Sequence, residues 1–448
     1  MSFFPSGGKL EVIFYQDAVN ISNFVGATQK LHKLVGIYML VGNLPIHMHS
    51  QIKKINLVAY CKDKDFEAER VIGHIRKDFS RLEEEGINVH GKVFYGSIVL
   101  ASGDNLGQHF LAGMVENFSK SLYFCRFCVI SRNEWLKDIL EKKVRFYDIR
   151  TVESYDRCVA TLERTKSFHC KGVKKNSELN KLKHFHVCSP GLACCTAHDL
   201  YMGVVKYDLP LHINHLIEIE GWFTYDELNG RIRKFKLGDS NKLVEFPLTG
   251  SKLSRTAAEV RNLLKYLPLV IIDKICDSVV WQNVLLLSHI SDFVCAPCVD
   301  SSFLPLLQEL TNLYLEQRMR LFPKTSLRPK HHYMSHLSFL TNAFGPLVHV
   351  WTMNIEIKHT VAKRIVRSGR NFQNVTFSVS SKHQLLQASN FASIPKGVIV
   401  MGREVEFCLS SYSEVIQSAV SQTPVDAVFD CGSAVSYTHL TLPTNREV

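Results

Sequence analysis

The sequence predicts an α/β protein: a mixed sheet core interrupted by a large, mostly helical insertion. Two observations predict the sheet and its interruption. Four short runs rich in β-branched and aromatic residues fall within the first 103 residues, and apolar residues then recur at helical spacing from about 116 to 350. A third observation predicts a site: Asp17 and Asp104 each follow one of those runs, and Glu356 lies in a late segment that reads as a helix.

Residues 10–62 carry LEVIFYQ, LVGIYMLVG and INLVAYC, separated by turn or polar segments, and read as three strands. Over residues 65–85, Val71, Ile72, Ile75, Phe79 and Leu82 sit at helical spacing among charged residues. VFYGSIVLA is a fourth strand, and SGDNLGQHFLAGMV opens a helix just after Asp104. Strand, strand, strand, helix, strand, with acids at strand ends, is the ordering of a ribonuclease H-like core. The expected organisation is the first part of that core over 1–115, a helical insertion over 116–350, and a core helix carrying Glu356 over 351–375. TAAEVRNLLKYLPLVIIDKI and FLPLLQELTNLYLEQRMRLF show the helical period in the insertion, and 166–190 is its loop or linker candidate. Residues 376–434 read as a small C-terminal segment of strands and turns. The last fourteen residues, VSYTHLTLPTNREV over 435–448, resemble a translated sequencing adapter and are set aside as non-native, which leaves the natural C-terminus missing.

A chain of 448 residues that is 46% hydrophobic can bury a sizeable core. The formal charge of +11 favours a polyanionic partner. Thirteen cysteines, an odd number at irregular spacing, argue against a disulfide framework and for a reducing compartment. The opening MSFFPSGGKLEV lacks the basic start and long apolar stretch of a signal peptide. Runs such as LVGIYML and YLPLVII are too short to span a bilayer, so a soluble intracellular protein with no membrane partner is expected. KGVKKNSELNKLKH is basic but too dilute to be a nuclear address.

Carboxylates are hard oxygen ligands suited to Mg²⁺ or Mn²⁺. Asp17 and Asp104 follow strands expected to lie side by side, and Met353, Ile357 and Val361 could pack the Glu356 helix against the sheet. Two ions held roughly 3.5–4 Å apart by such a set clamp the attacking and leaving oxygens of a phosphoryl transfer. The ordinary alternatives are a turn role for Asp17, a helix cap from Asp104 or Asn105, and a solvated Glu356 pairing with Lys358 or Lys363. A second constellation joins Cys125 and Cys128, a CxxC, to His332 and His336 in KHHYMSH, four ligands suited to tetrahedral Zn²⁺. His331 could replace His332, and buried thiols with a polar helix face are the alternative. The pairs Cys194–Cys195 and Cys295–Cys298 favour core packing. His198–Asp199 reads as a capping Asp with a buried His, and Trp281 and Trp351 as core. Lys324, Arg328 and Lys330, then Lys363, Arg364, Arg367 and Arg370, form basic stretches that either meet phosphates beside the acids or make a solvated face.

Taken together, these blocks resemble the transposases of CACTA (En/Spm-type) DNA transposons, from about Val12 to Arg370. Asp17 is followed by Asn23-Phe-Val-Gly26, similar to an N-P-L-G turn. Lys33-Leu-Val-Gly-Ile-Tyr, then Gly42-Asn-Leu-Pro45, is similar to the second strand and turn. Ser102-Gly-Asp-Asn-Leu-Gly107, Gly113, Phe118-Ser119 and Cys125-xx-Cys128 follow the second-acid block, and Ala197 to Val205 is similar to M-H-D-L-L-E-G-V. Pro329 to His336, Phe344-Gly-Pro-Leu347 and Trp351-Thr-Met lead into Glu356-Ile-Lys-His-Thr-Val-Ala-Lys363, similar to the E-A-K-H-x-x-F-K helix. Phe24-Val25, Met202 and Met353-Asn-Ile depart from the family pattern, and with little ahead of Asp17 the family's N-terminal DNA-binding region is expected to be absent.

The resemblance implies a DDE-type transposase with a ribonuclease H-like core split by a helical insertion. It implies Asp17, Asp104 and Glu356 as catalytic residues holding two Mg²⁺ or Mn²⁺ ions. It also implies Cys125, Cys128, His332 and His336 as a structural zinc site, as in the related V(D)J recombinase. The implied partners are DNA, as transposon ends and target, and further copies of the chain, with the nucleus as the place of action. The rival expectations are a domesticated or inactive transposase-derived DNA-binding protein, a zinc-stabilised interaction module, and a plain ribonuclease H-like hydrolase.

Overall fold

The computed structural model describes residues 8–21, 33–141, 147–189, 191–237, 241–247, 252–369, 374–391, 403–404 and 429–430. The turn expected at 23–26, Arg370 and the tail at 435–448 lie outside the described residues. The protein is mixed α/β. Its five-stranded sheet comprises β1 (Gly8–Asn20), β2 (Lys33–Val41), β3 (Asn56–Lys62), β4 (Ile87–Val89) and β5 (Lys92–Gly103), in the order β3-β2-β1-β5-β4. Only the central β1–β5 pair is parallel; its neighbours pair antiparallel.

The strand pleat sends successive side chains to opposite faces. Val12 and Phe14 point to one side of the sheet, where Ile75 and Phe79 of the helix Gly73–Glu84 pack on them. Ile13 and Tyr15 point to the other, into a cluster with Tyr38, Leu100 and Ile355. Both faces are covered, which is why these strands read as continuous apolar runs rather than alternating ones.

The helix expected over 65–85 begins as a π turn, Ala68–Ile72, and continues as Gly73–Glu84. The short edge strand β4 escaped the sequence reading. It pairs with β5 through a tight turn in which His90 (φ 51°) and Gly91 (φ 81°) both take left-handed conformations. A His-Gly turn lacks the usual Asn-Gly or Asp-Gly signal, and all three β4 residues are exposed, so no apolar pattern marks the strand.

From Asn105 to Phe344 the described chain is mostly helical, with irregular connections and one short antiparallel ladder, Lys236–Leu237 with Asn241–Lys242. Reciprocal caps start several helices, such as Ser131 with Glu134 ahead of Arg132–Leu140 and Thr256 with Glu259 ahead of Ala257–Val270. Residues 166–189 are irregular apart from the turn Glu178–Lys181, yet they are no free linker: Val173, Leu179, Leu182 and Phe185 are buried. The buried Glu83 fixes this stretch by accepting from the backbone N–H groups of Lys183 (2.8 Å) and His184 (3.2 Å).

The late helix is split into Met353–Glu356 and Lys358–Gly369, with the exposed Ile357 between them. Val375–Phe391 is a helix rather than the expected strands and turns. Val375 and Val379, one helical turn apart, pack on Ile365, Val366, Val19 and Leu34. Packing outweighs intrinsic preference here. The chain divides into two compact units, 1–387 and 388–448; the second contains an antiparallel ladder of Arg403–Glu404 with Phe429–Asp430. Among the described residues no helix is long and apolar enough to cross a membrane.

Candidate functional site

The parallel β1–β5 pair brings two of the three acids together. Its register pairs Gln16 with Gly103, so the next residues along the two strands are Asp17 and Asp104. Small residues permit this approach. A Cβ on Gly103 would lie 2.4 Å from the Gln16 carbonyl oxygen, and one on Gly107 would lie 2.9 Å from Gln16 Oε1. Asp17 does not end its strand, which runs on to Asn20; it is an interior strand residue opposite Gly36 of β2. It lies on the sheet face of Tyr15, whose hydroxyl donates to Asp17 Oδ2 at 2.9 Å, and the Ala18 N–H donates to Oδ1 at 2.6 Å. Asp104 caps the helix Asn105–Leu111, accepting from the Gly107 N–H at 2.6 Å.

Glu356 follows Ile355, which belongs to the apolar cluster on that same face of the sheet. Thr352 Oγ1 donates to Glu356 Oε1 at 2.5 Å, and His198 Nδ1 stands 3.6 Å from the same oxygen. Burial, then the negative charges of Asp104 and Glu356, push the Asp17 carboxyl up to about 7. The Asp104 and Glu356 charges therefore both reach Asp17. His198 also faces this group. Burial pushes its ring down, but the Cys195 thiol, then Glu356 and Asp104, outweigh that and push it up to about 10. It lies on the π-helical turn Ala197–Val205, with Nδ1 3.3 Å from Cys195 Sγ and 3.2 Å from Thr352 Oγ1. The expected role for His198, a buried polar residue beside a capping Asp, missed this neighbourhood, because nothing local in the chain announces Glu356 as its partner.

The second cluster is tighter. The ligand atoms of Cys125, Cys128, His332 and His336 are all buried and lie within 4.8 Å of one another. Among the described residues no other set of three or more metal-ligating side chains is gathered so closely, the three acids included. Zn–S bonds of about 2.3 Å and Zn–N bonds of about 2.0–2.1 Å in a tetrahedron put donor atoms roughly 3.3–3.8 Å apart. Cys125 Sγ lies 3.4 Å from His336 Nε2, Cys128 Sγ lies 3.2 Å from His332 Nε2, and the two Nε2 atoms are 3.1 Å apart. The cluster could hold a zinc ion.

The Phe127 N–H donates to Cys125 Sγ at 3.2 Å, as suits a thiolate. Burial pushes the Cys125 thiol up, but the Cys128 thiol and the two imidazoles outweigh it and hold it well below the usual thiol range. Phe124 and Trp135 pack edge-on against His332, and Phe127 against His336. His331 is excluded as a ligand: its Nε2 lies 2.9 Å from Asp208 Oδ2, and its Nδ1 accepts from the Arg328 N–H at 3.0 Å.

The remaining candidates separate cleanly. Cys295 is buried against the Tyr201 hydroxyl, whereas Cys298 is exposed, so the CAPC pair is not a shared site. Asp199 is no cap; it is buried in an ion pair with Arg126. Trp281 is core. Arg328 is exposed and stacks on the Tyr207 ring at 3.7 Å, and Lys330 donates to the His198 carbonyl at 2.7 Å. Arg364 and Arg367 are exposed on Lys358–Gly369, the helix that follows Glu356. No family model matches the chain, and no curated protein matches it.

Proposed function

We propose that this protein is a DDE-type polynucleotidyl transferase of the CACTA transposase kind, cutting DNA at transposon ends and joining the 3′-hydroxyl to target DNA. The observation that carries the reading is the β1–β5 register, which sets Asp17 beside Asp104, with Glu356 close enough that its charge raises the Asp17 carboxyl. The strand order β3-β2-β1-β5-β4 with one parallel central pair supports a ribonuclease H-like core, and the helical stretch ahead of Met353–Glu356 supports an insertion within it.

In this reading Asp17, Asp104 and Glu356 hold two Mg²⁺ or Mn²⁺ ions. Those ions, when bound, activate a water or 3′-hydroxyl and stabilise the departing oxygen. The Tyr15 hydroxyl and the Ala18 N–H each hold one Asp17 oxygen. Thr352 and His198 hold Glu356 in place. Arg364 and Arg367 offer positive charge for DNA phosphates beside the acids. Cys125, Cys128, His332 and His336 take zinc as a structural ion and tie together segments about two hundred residues apart in sequence.

Asp104→Asn tests the reading. Asn caps a helix as well as Asp does, so the fold is expected to persist while one anionic ligand is lost. With Mn²⁺ and a supercoiled DNA substrate, nicking by the unaltered protein and at least ~100-fold less by the variant is the expected result. Equal nicking by both overturns the assignment. A second reading, a transposase-derived DNA-binding protein without catalysis, draws on the looser grouping of the acids compared with the Cys/His cluster. Salt-sensitive DNA binding by a protein that shows no metal-dependent nicking would favour it.

A further inference from the structure

We propose that Arg126 is a positioning residue that couples the Cys125/Cys128/His332/His336 centre to the acidic site, so that an ordered metal centre fixes both Asp104 and the His198–Glu356 contact. This rests on the two-ion reading above.

Arg126 is an internal residue of the CxxC, between the two sulfur ligands, so metal ligation on both sides fixes its backbone. Its side chain is fully buried. The guanidinium carbon lies 4.4 Å from the Phe127 ring centroid and 4.4 Å from that of Tyr333. Phe127 is the chain neighbour of Cys128, and Tyr333 the neighbour of His332. The cation is thus clamped between two rings, each tethered to a different metal ligand. Tyr333 is itself held, its hydroxyl donating to the Phe124 carbonyl at 3.2 Å and standing 3.3 Å from His109 Nε2.

The two terminal nitrogens of Arg126 reach out to the acids' supports. One donates to Asn105 Oδ1 at 2.5 Å and the other to Asp199 Oδ2 at 3.0 Å. Asn105 Nδ2 donates to Asp199 Oδ1 at 2.5 Å and closes a three-residue ring of hydrogen bonds, which Cys194 Sγ joins at 3.3 Å from Asp199 Oδ2. Asn105 is the first residue of the helix that Asp104 caps. Asp199 follows His198, whose Nδ1 stands 3.6 Å from Glu356 Oε1. One buried guanidinium therefore pins the backbone next to one acid and the backbone next to the partner of another.

The test uses the full chain and three readouts: zinc per chain by elemental analysis, the thermal transition, and Mn²⁺ affinity by electron paramagnetic resonance of free Mn²⁺. Arg126→Lys keeps the charge but cannot bridge Asn105 and Asp199. Asn105→Ala keeps the Arg126–Asp199 ion pair and removes both bonds that Asn105 makes, to Arg126 and to Asp199. Both variants are expected to keep zinc and a cooperative transition while the Mn²⁺ Kd rises at least ~10-fold, the range seen when supports of metal ligands are lost. A Mn²⁺ Kd within twofold of the unaltered protein in either folded variant overturns the coupling and leaves the two-ion reading standing. Loss of cooperative folding in both variants assigns Arg126 to fold stability and overturns it too. If the unaltered protein and Asp104→Asn bind Mn²⁺ equally, the two-ion reading fails and takes this inference with it.

Discussion

Asp17 shows how one residue's surroundings set its chemistry. The folded chain holds this proton more tightly than the unfolded chain, because burial and the Asp104 and Glu356 charges raise the carboxyl to about 7. An acid raised in the folded state contributes stability that is full below its unfolded value and is lost as pH rises through its folded value. Metal-free protein is therefore expected to lose thermal stability as pH rises from about 4 to about 8, and Asp17→Asn to flatten that slope. A divalent cation competes with the proton, so Mn²⁺ should raise the melting temperature more at about pH 8 than at about pH 6. Melting curves across that range check both statements; a slope shared by Asp17→Asn, or an equal Mn²⁺ effect at both pH values, contradicts them.

At the scale of elements, the site depends on how closely a helix and two strands approach. Gly103 and Gly107 lie against Gln16, the residue before Asp17, and leave no room for a side chain at 103. Gly103→Ala is expected to cost ~1–3 kcal/mol in denaturant unfolding, in the range of other overpacked sites. It should also weaken Mn²⁺ binding, because relief of the clash moves β5 away from β1. Gly230 is the control. It lies within the helix Tyr225–Lys234, where an added Cβ meets only Arg233 at 3.9 Å, so Gly230→Ala should stabilise by ~0.5–1 kcal/mol. Destabilisation by the second change, or none by the first, would refute the packing argument.

At the scale of the molecule, charge and metal ligation act across long separations. The formal charge of +11 gains a direction from Arg364 and Arg367, both exposed on the helix after Glu356. Each Arg that contacts a phosphate steepens the salt dependence of DNA binding by about one unit of slope. Arg364→Ala with Arg367→Ala should therefore lower the slope of log K against log salt by ~1–2, uniformly across DNA sequences. An unchanged slope rules out these two side chains as phosphate contacts.

The four long strands, the helix before β5 and the four Cys/His candidates were legible in the chain alone, because apolar period and ligand type are local properties. The sequence did not reveal β4, whose exposed residues carry no pattern, or the helix Val375–Phe391, whose residues are decided by what Val375 and Val379 touch. Only the tertiary structure chose His332 over His331, because the choice depends on Asp208, more than a hundred residues away in the chain. Only it placed Arg126, Asn105 and Asp199 in one buried ring, since a hydrogen bond between distant residues leaves no periodicity to read.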